Sequence, residues 1–282
     1  MGDTTVYDKL VHFFQTVGQN GPRVELFNIW HIVFLLLIFS LSTVFYFIFR
    51  KKSMEVKERA TTALIAFLML LYTFDFILQP FYIGGGRLDT SKLPFHLCTF
   101  IGVCLGLSKI FRKGLHVFDQ AFTMIGFFAA FSYLIYPGNS IGAHRGAFSY
   151  PSFQTFLYHG VLFCYGINSL ALGVIKLNIK RVWIDALVAA FGVTWAVVGN
   201  WLMPFGYDWY FVTGITFPFF KQFMPMPLVS FIATFGGTMI LYGFYFLIKW
   251  IISKIRKDKN GEIVVEEAQI ESQEEVAVAQ GE

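Results

Sequence analysis

The hydrophobic residues of this chain fall into seven long runs that are separated by polar connections. Each run has about 20 residues, the length that an α-helix needs to cross a bilayer. Because a helix satisfies its backbone hydrogen bonds internally, helices are the expected structure in lipid. The pattern predicts an all-α, polytopic membrane helical bundle with seven transmembrane helices, at approximately residues 28–49, 61–82, 94–111, 117–136, 152–175, 182–203 and 226–250.

The same pattern divides the chain into three parts. Residues 1–27 are predicted to form an extracytoplasmic N-terminal segment, residues 28–252 the seven-helix transmembrane domain, and residues 253–282 a disordered acidic tail. The tail has eight acidic residues and one lysine between positions 258 and 282, and it has no sustained apolar periodicity. The connection at 204–225 is rich in proline, glycine and aromatic residues, so we expect it to lie along the interface or to fold back into the bundle.

The composition supports a membrane protein and excludes several other classes. Of the 282 residues, 56% are hydrophobic and only 14% are charged, whereas ordinary globular chains have about 25% charged residues. A soluble domain could not bury that much apolar surface. A nucleic-acid-binding function is therefore excluded for the chain as a whole, and membrane phospholipids are the expected partners.

The distribution of basic residues predicts the orientation. Sixteen of the 22 Lys and Arg residues fall in the loops after the first, third and fifth runs and at the C-terminus. Because basic loops remain cytoplasmic, the N-terminus is predicted to lie outside and the C-terminus in the cytoplasm. The acidic tail is then available to a cytoplasmic partner.

Polar residues within the predicted helices are concentrated in one layer of the bilayer. Each is costly in lipid, so a shared depth indicates a ligand or reaction site in the outer half. The residues of this layer are Asp75, Gln79, His96, Cys98, Gln154, His159 and Asn200.

Two members of this layer suit thiol chemistry. Cys98 follows Pro94 at a predicted helix start, where the positive end of the helix dipole favours a thiolate. His159 enters at a similar depth from another helix and is the candidate base, with Asn200 or Asp75 orienting it. His96 is expected to face another wall of the site or to bind a substrate phosphate, whereas Gln79 and Gln154 are candidate substrate contacts.

Other interpretations of the same residues remain open. Each polar residue taken alone is more often a helix–helix hydrogen-bond partner than a ligand. Zinc is a competing use of the His, Cys and Asp side chains, but no ligand pair at i,i+3 or i,i+4 is present. No metal and no cofactor is predicted. A retinal protein is excluded because the seventh run lacks a lysine at its middle.

Two motifs resemble the signatures of the YwaF-like family of integral membrane proteins. These are the LPFHLC run at residues 93–98, which resembles LPxHLC, and the aromatic-rich run at 150–160, which ends in His-Gly. Asn200-Trp201 resembles a third, looser signature. Eukaryotic relatives are transmembrane phospholipid acyltransferases that depend on a cysteine. The resemblance implies that Cys98 carries an acyl group, that His159 is the base, and that His96 and Asn200 support them. It also implies the plasma membrane of a bacterial cell.

Together these observations predict a membrane-embedded, lipid-modifying enzyme with a site open to the outer leaflet. Cys98 would take an acyl group from a phospholipid and pass it to another lipid or to water. The alternative is a non-enzymatic carrier, receptor or assembly factor that binds a ligand in the same polar layer. The sequence indicates no oligomeric state.

Overall fold

The computed structural model describes residues 22–82, 92–111, 115–138, 146–203, 208–214 and 218–279, with only the backbone described at 78–82, 218 and 256–279. Within these ranges the chain is helical and contains no strand; the only extended pairing is a single bridge between Arg23 and Gly146. The longer helices are α1 (Ile29–Phe49), α2 (Met54–Tyr82), α3 (Leu97–Ile110), α4 (Asp119–Ile135), α5 (Tyr150–Ala171), α6 (Val182–Leu202) and α7 (Met226–Ala279). The all-helical prediction is confirmed.

Each helix corresponds to one of the seven predicted runs, and local sequence explains where several of them begin. The Asn28 side chain accepts a hydrogen bond from the His31 main-chain N–H at 3.0 Å, which caps α1. Pro151 occupies the first turn of α5, where its missing N–H costs nothing. Helix α2 begins at Met54, seven residues before the predicted start, and an exposed Arg59–Glu55 ion pair lies in this added part.

Five described helical segments are long and apolar enough to cross a membrane: Ile29–Phe49, Met54–Ile77, His116–Ile135, Ile179–Leu202 and Met226–Ile255. This supports a multi-pass membrane protein with fewer clear spans than the seven predicted. Helix α3 has only 14 residues, about 21 Å at the usual helical rise, which is less than the thickness of a bilayer core. Helix α5 has 22 residues, but many of them are polar and buried.

Helix α5 lies at the centre of the bundle. It packs against α1, α2 and α4, whereas α3 packs against α2 and α4, and α6 packs against α4. Aromatic rings fill these contacts; Phe34 of α1, for example, stacks on Phe156 of α5 with ring centroids 4.4 Å apart. The central position explains why α5 differs from its neighbours: most of its surface meets protein rather than lipid, so polar side chains can be paired there.

Residues 238–279 form a second unit, which consists of the continuous later part of α7. The predicted start of the acidic tail, at residue 253, falls within this helix. The assignment of residues 253–282 as a disordered tail stays a prediction, and so does the assignment of residues 1–27, of which 1–21 lie outside the described residues.

Candidate active site at the N-terminus of α3

The polar layer predicted from sequence corresponds to one end of the bundle, which we call the Cys98 end. Here α1, α3 and α5 begin and α2, α4 and α6 end. Main-chain contacts join these elements: the Ala147 N–H donates to the Pro22 carbonyl at 2.7 Å, and the Trp195 indole N–H donates to the Pro94 carbonyl at 2.9 Å. Residues far apart in sequence therefore meet at one end.

The LPFHLC motif attaches the start of α3 to α6. Phe95 packs against Trp195 and Trp209, with ring centroids 5.2 and 5.0 Å away. Gly199 of α6 leaves room for this ring, because a Cβ atom there would collide with Phe95. His96 is the N-cap residue of α3, and its side chain makes no capping hydrogen bond. The first-turn amides of α3 are thus not covered by the cap residue.

Cys98 is the second residue of α3 and is half-buried. Its thiol lies within hydrogen-bonding range of its own main-chain N–H. The Tyr158 hydroxyl of α5 donates to the Cys98 carbonyl at 3.2 Å, and Gly102 provides the space in which that hydroxyl sits. The middle of α5 therefore contacts the first turn of α3.

His159, the next residue of α5, is held by two neighbours. Its Nδ1 atom lies 2.7 Å from the Thr155 carbonyl oxygen, and its ring stacks on Tyr133 of α4 with centroids 3.7 Å apart. Because a carbonyl can only accept, we assign the proton to Nδ1, which leaves the lone pair on Nε2. The ring lies within electrostatic range of His96 and Lys92. Among the described residues, no hydrogen bond joins it to the Cys98 thiol.

The glycine after His159 has a packing role. A Cβ atom at Gly160 would lie 2.9 Å from Cγ1 of Ile38 in α1, so glycine allows these two helices to approach closely. The three residues at 158–160 thus contact three different helices: Tyr158 contacts α3, His159 contacts α4, and Gly160 contacts α1.

Asp75 forms an ion pair that the sequence did not identify. Its Oδ2 atom lies 2.9 Å from the Nζ atom of Lys92, with relative exposures of 2% and 19% for the two side chains. The Tyr72 hydroxyl donates to the Lys92 carbonyl at 2.8 Å, and the Tyr150 hydroxyl interacts with the Asp75 carboxylate. The ion pair joins the end of α2 to the segment before α3.

Asn200 contacts the connection after α6. Its side-chain amide donates to the Trp209 carbonyl at 3.1 Å, and its carbonyl oxygen accepts the Trp209 N–H at 3.3 Å. This pair of bonds holds a turn in which Tyr210 and Phe211 both have φ near 60°. Left-handed backbone at a bulky residue costs on the order of 1–3 kcal/mol, so the turn depends on such contacts.

The remaining predicted residues contribute less. Gln154 is buried in the first turns of α5, where its Oε1 atom accepts from the Thr155 hydroxyl at 3.3 Å. Gln79 belongs to α2, but its side chain lies outside the described residues. No group of three or more His, Cys, Asp or Glu side chains able to hold a metal occurs in the described part of the chain, so the zinc alternative gains no ligand set there.

Sequence reasoning also missed His31. The ring is fully buried: Nδ1 accepts the Phe27 N–H at 3.0 Å, and Nε2 lies 2.8 Å from the Leu134 carbonyl oxygen. Both nitrogens are therefore used by main-chain groups, which makes His31 a structural residue that joins α1 to α4. The sequence feature that indicates such a role is a histidine three residues after the start of the first apolar run.

A second polar cluster lies at the opposite end of α3, which we call the Lys109 end. The Lys109 Nζ atom lies 3.0 Å from Oδ2 of Asp119, and Ser108 donates to the other carboxylate oxygen. Tyr165 of α5 interacts with Lys109 and with Thr123 of α4. This cluster joins α3, α4 and α5.

The comparisons with known proteins identify the family. Neither the search of curated proteins nor the search of solved structures gave a match. The sequence model of the TMEM164 family matches residues 26–247, a range that contains both ends of α3 and all of α1 to α6. Because this match covers most of the chain and the helices are long and apolar, the chain is a multi-pass membrane protein that belongs to the TMEM164 family.

Proposed function

We propose that this protein is a lipid-modifying enzyme that uses Cys98 for acyl transfer or acyl hydrolysis on phospholipids. The proposal rests chiefly on one observation: His159 donates Nδ1–H to the Thr155 carbonyl and keeps a free lone pair on Nε2, while the preceding residue of α5, Tyr158, contacts the main chain of Cys98. A thiol at a helix N-terminus and an oriented histidine near it are the parts that nucleophilic catalysis needs.

The chemistry follows from these positions. His159 Nε2 takes the thiol proton, and the Cys98 sulfur attacks the carbonyl carbon of an acyl ester. Collapse of the tetrahedral intermediate breaks the ester C–O bond, and the leaving alkoxide receives the proton from His159. A second hydroxyl group, from a lipid or from water, then takes the acyl group from the thioester. The Thr155 carbonyl orients the histidine, in the position where the sequence suggested Asn200 or Asp75.

The resting arrangement requires a small change before reaction, because the thiol and the imidazole are not hydrogen-bonded to each other. Catalytic hydrogen bonds commonly tighten only when substrate binds. Lys92, which is paired with Asp75, and His96 lie within electrostatic range of His159. These polar groups are therefore placed to contact the headgroup of a lipid whose ester lies beside His159. Lipid substrates also suit helices whose large apolar side chains are exposed.

The proposal includes the topology predicted from the basic residues. Seven helices cross the membrane, the N-terminus lies outside, and the Cys98 end opens to the outer leaflet of a bacterial plasma membrane. The YwaF-like resemblance of the motifs at 93–98 and 150–160 supports the relation to cysteine-dependent acyltransferases. Reporter fusions test the orientation: positions 50–60, 109–116 and 176–181 should read as cytoplasmic, and a cytoplasmic signal from residue 140 would contradict the outer-leaflet site.

Thiol labelling tests the enzymatic function. We expect an acyl-phosphonate probe or iodoacetamide to label Cys98 in the full-length protein much faster than Cys104 or Cys164, as read by peptide mass spectrometry. His159→Ala should slow the labelling of Cys98 by about 100-fold or more, the usual contribution of a general base. Equal labelling of all three thiols, or none, would contradict the enzyme and favour a non-enzymatic ligand-binding protein.

A further inference from the structure

Tyr210 combines two features that cost free energy and that lie outside the Cys98–His159 chemistry. Its backbone is left-handed, with φ 60° and ψ 16°, although it is a bulky residue. Its side chain is 4% exposed, and its hydroxyl has no hydrogen bond of normal length among the described residues. Strained backbone and unsatisfied buried polar groups are both rare, and both concentrate at functional sites.

The surrounding structure fixes this conformation. Asn200 binds both the N–H and the carbonyl of Trp209, the residue before Tyr210. On the other side, the Asp208 carboxylate accepts the Thr213 N–H at 2.8 Å and closes the turn. Two side chains thus hold the main chain on either side of Tyr210, so its position does not depend on its own hydroxyl.

The Tyr210 ring lies between α6 and the first turn of α3. A Cβ atom at Gly192 of α6 would lie 3.6 Å from the ring, which is ordinary contact distance. Tyr210 belongs to the same buried cluster as Phe95, and Leu97 packs against that cluster. The Cys98 thiol lies within electrostatic range of the hydroxyl, and the Thr234 side chain of α7 also interacts with it.

The hydroxyl is suited to donate a hydrogen bond. Burial raises the pKa of Tyr210 above its ordinary value, and the nearby Cys98 acts in the same direction, although Thr234 opposes them. The group therefore stays protonated at neutral pH. The Cys98 thiol also lies at the N-terminus of α3, where first-turn amides lack helical partners and the cap side chain does not cover them.

We infer that the Tyr210 hydroxyl is a catalytic hydrogen-bond donor to the oxyanion that forms when Cys98 attacks an acyl ester. This inference rests on the proposed function. As the sulfur–carbon bond forms, the carbonyl π electrons move onto oxygen, and that oxygen accepts a hydrogen bond from Tyr210 and from amides of the first turn of α3. When the carbonyl re-forms, the ester C–O bond breaks and the alkoxide takes the proton held by His159. Asn200 is the positioning residue for this donor.

Comparing two reactions of the same thiol separates this role from a structural one. Acylation by a para-nitrophenyl acyl ester passes through an oxyanion, whereas alkylation by iodoacetamide does not. In Tyr210→Phe, we expect the nitrophenolate burst and the acylation of Cys98 to slow by about 100-fold, the usual effect of losing one oxyanion donor. Alkylation of Cys98 should keep the wild-type rate. The thermal midpoint should not fall, because the substitution removes an unsatisfied hydroxyl.

Matched variants complete the test. Tyr165→Phe removes the hydroxyl of another buried tyrosine, at the Lys109 end, and should acylate at the wild-type rate. Asn200→Leu should slow acylation while sparing alkylation, as Tyr210→Phe does. If the wild-type protein acylates and Tyr210→Phe acylates equally fast, the inference is wrong and the proposed function stands. If the wild-type protein does not acylate at all, the proposed function fails and takes this role of Tyr210 with it.

Discussion

The two ends of α3 each carry a lysine–aspartate pair, and the two pairs have different surroundings. At the Cys98 end, Lys92 lies 2.9 Å from Asp75; at the Lys109 end, Lys109 lies 3.0 Å from Asp119. The lysines have nearly equal relative exposures, 19% and 18%. The distances and the lysines therefore do not distinguish the two ends. Asp75 is more deeply buried than Asp119, at 2% against 18% exposure, and the groups around the two pairs differ further.

At the Lys109 end, the neighbours satisfy the charges. Both carboxylate oxygens of Asp119 accept hydrogen bonds, one from Ser108 and one from Lys109. The Thr123 hydroxyl donates to the main-chain carbonyl of Asp119 at 2.6 Å. Among the described residues, no cysteine belongs to this cluster, and the left-handed residue that follows the end of α5 is a glycine, Gly173. Such an arrangement ties three helices together without leaving groups free for chemistry.

At the Cys98 end, the pair is accompanied by groups that can react. A half-buried thiol, a histidine with an available Nε2 and an unsatisfied tyrosine hydroxyl occur beside strained backbone. Similar ion pairs thus serve different purposes in one bundle. The Lys109 end contributes stability, and we expect that stability to compensate for the strain held at the Cys98 end.

The largest effect should come from breaking one ion pair at the Lys109 end. Lys109→Met leaves the Asp119 carboxylate without its cation in a largely buried site, which should reduce the free energy of unfolding by about 3 kcal/mol. Labelling of Cys98 in the folded fraction should keep its wild-type rate. Thermal unfolding followed by intrinsic tryptophan fluorescence, together with thiol labelling below the transition, measures both quantities.

Replacing both partners of each ion pair separates the effect on stability from the effect on the reactivity of Cys98. Lys109→Met with Asp119→Leu should recover most of the lost stability, because no buried charge remains. Lys92→Met with Asp75→Leu should also fold, but acylation of Cys98 should fall, since Lys92 lies within electrostatic range of His159. Equal acylation by the two double variants would show that the ends do not differ in function.

The sequence predicted most of this architecture because lipid imposes a simple pattern. Seven apolar runs predicted seven helices, and polar residues at one depth predicted which side chains share an end of the bundle. Depth says nothing about which side of a helix a residue occupies. Asn200 was therefore expected to orient His159, whereas it binds Trp209, and the carbonyl of Thr155 orients His159 instead.

The sequence pattern also does not predict main-chain contacts between segments or strained turns. The role of Tyr210 depends on a left-handed turn, and no local pattern at 208–214 predicts one at a tyrosine. Lys92 precedes the third apolar run, which begins at residue 94, and no pattern in the sequence indicates that its side chain reaches Asp75 in α2. In both cases the interacting residues are separated in sequence and meet only when the bundle has folded.

A smaller effect is expected from closing the space beside Cys98. Gly102→Ala places a methyl group against the Tyr158 hydroxyl and 3.3 Å from Leu68. Alanine has the higher helix propensity, but here the added methyl group overpacks the contact between α3 and α5. We expect a loss of about 1–2 kcal/mol and slower labelling of Cys98, because the first turn of α3 must shift.

Two variants check this interpretation. Gly236→Ala is the matched control, since a Cβ atom there meets nothing within 4 Å, and it should leave stability unchanged or raise it. Adding Tyr158→Phe to Gly102→Ala should restore part of the stability by removing the colliding oxygen. A Gly102→Ala protein as stable as Gly236→Ala would show that Tyr158 does not occupy this space in solution.

The smallest effect should come from the acidic tail. Deleting residues 260–282 removes seven of the 18 acidic residues, yet it removes no part of α1 to α6 and none of the contacts at either end of α3. The segment lacks the apolar surface needed to stabilise a fold, so the thermal midpoint and the labelling rate of Cys98 should both match those of the full-length protein. The contrast with Lys109→Met is informative because both changes alter charge, but only Lys109→Met leaves a charge unpaired in a buried site. A truncated protein that is as unstable as Lys109→Met would show that the stability assigned to the Lys109 end depends on the tail.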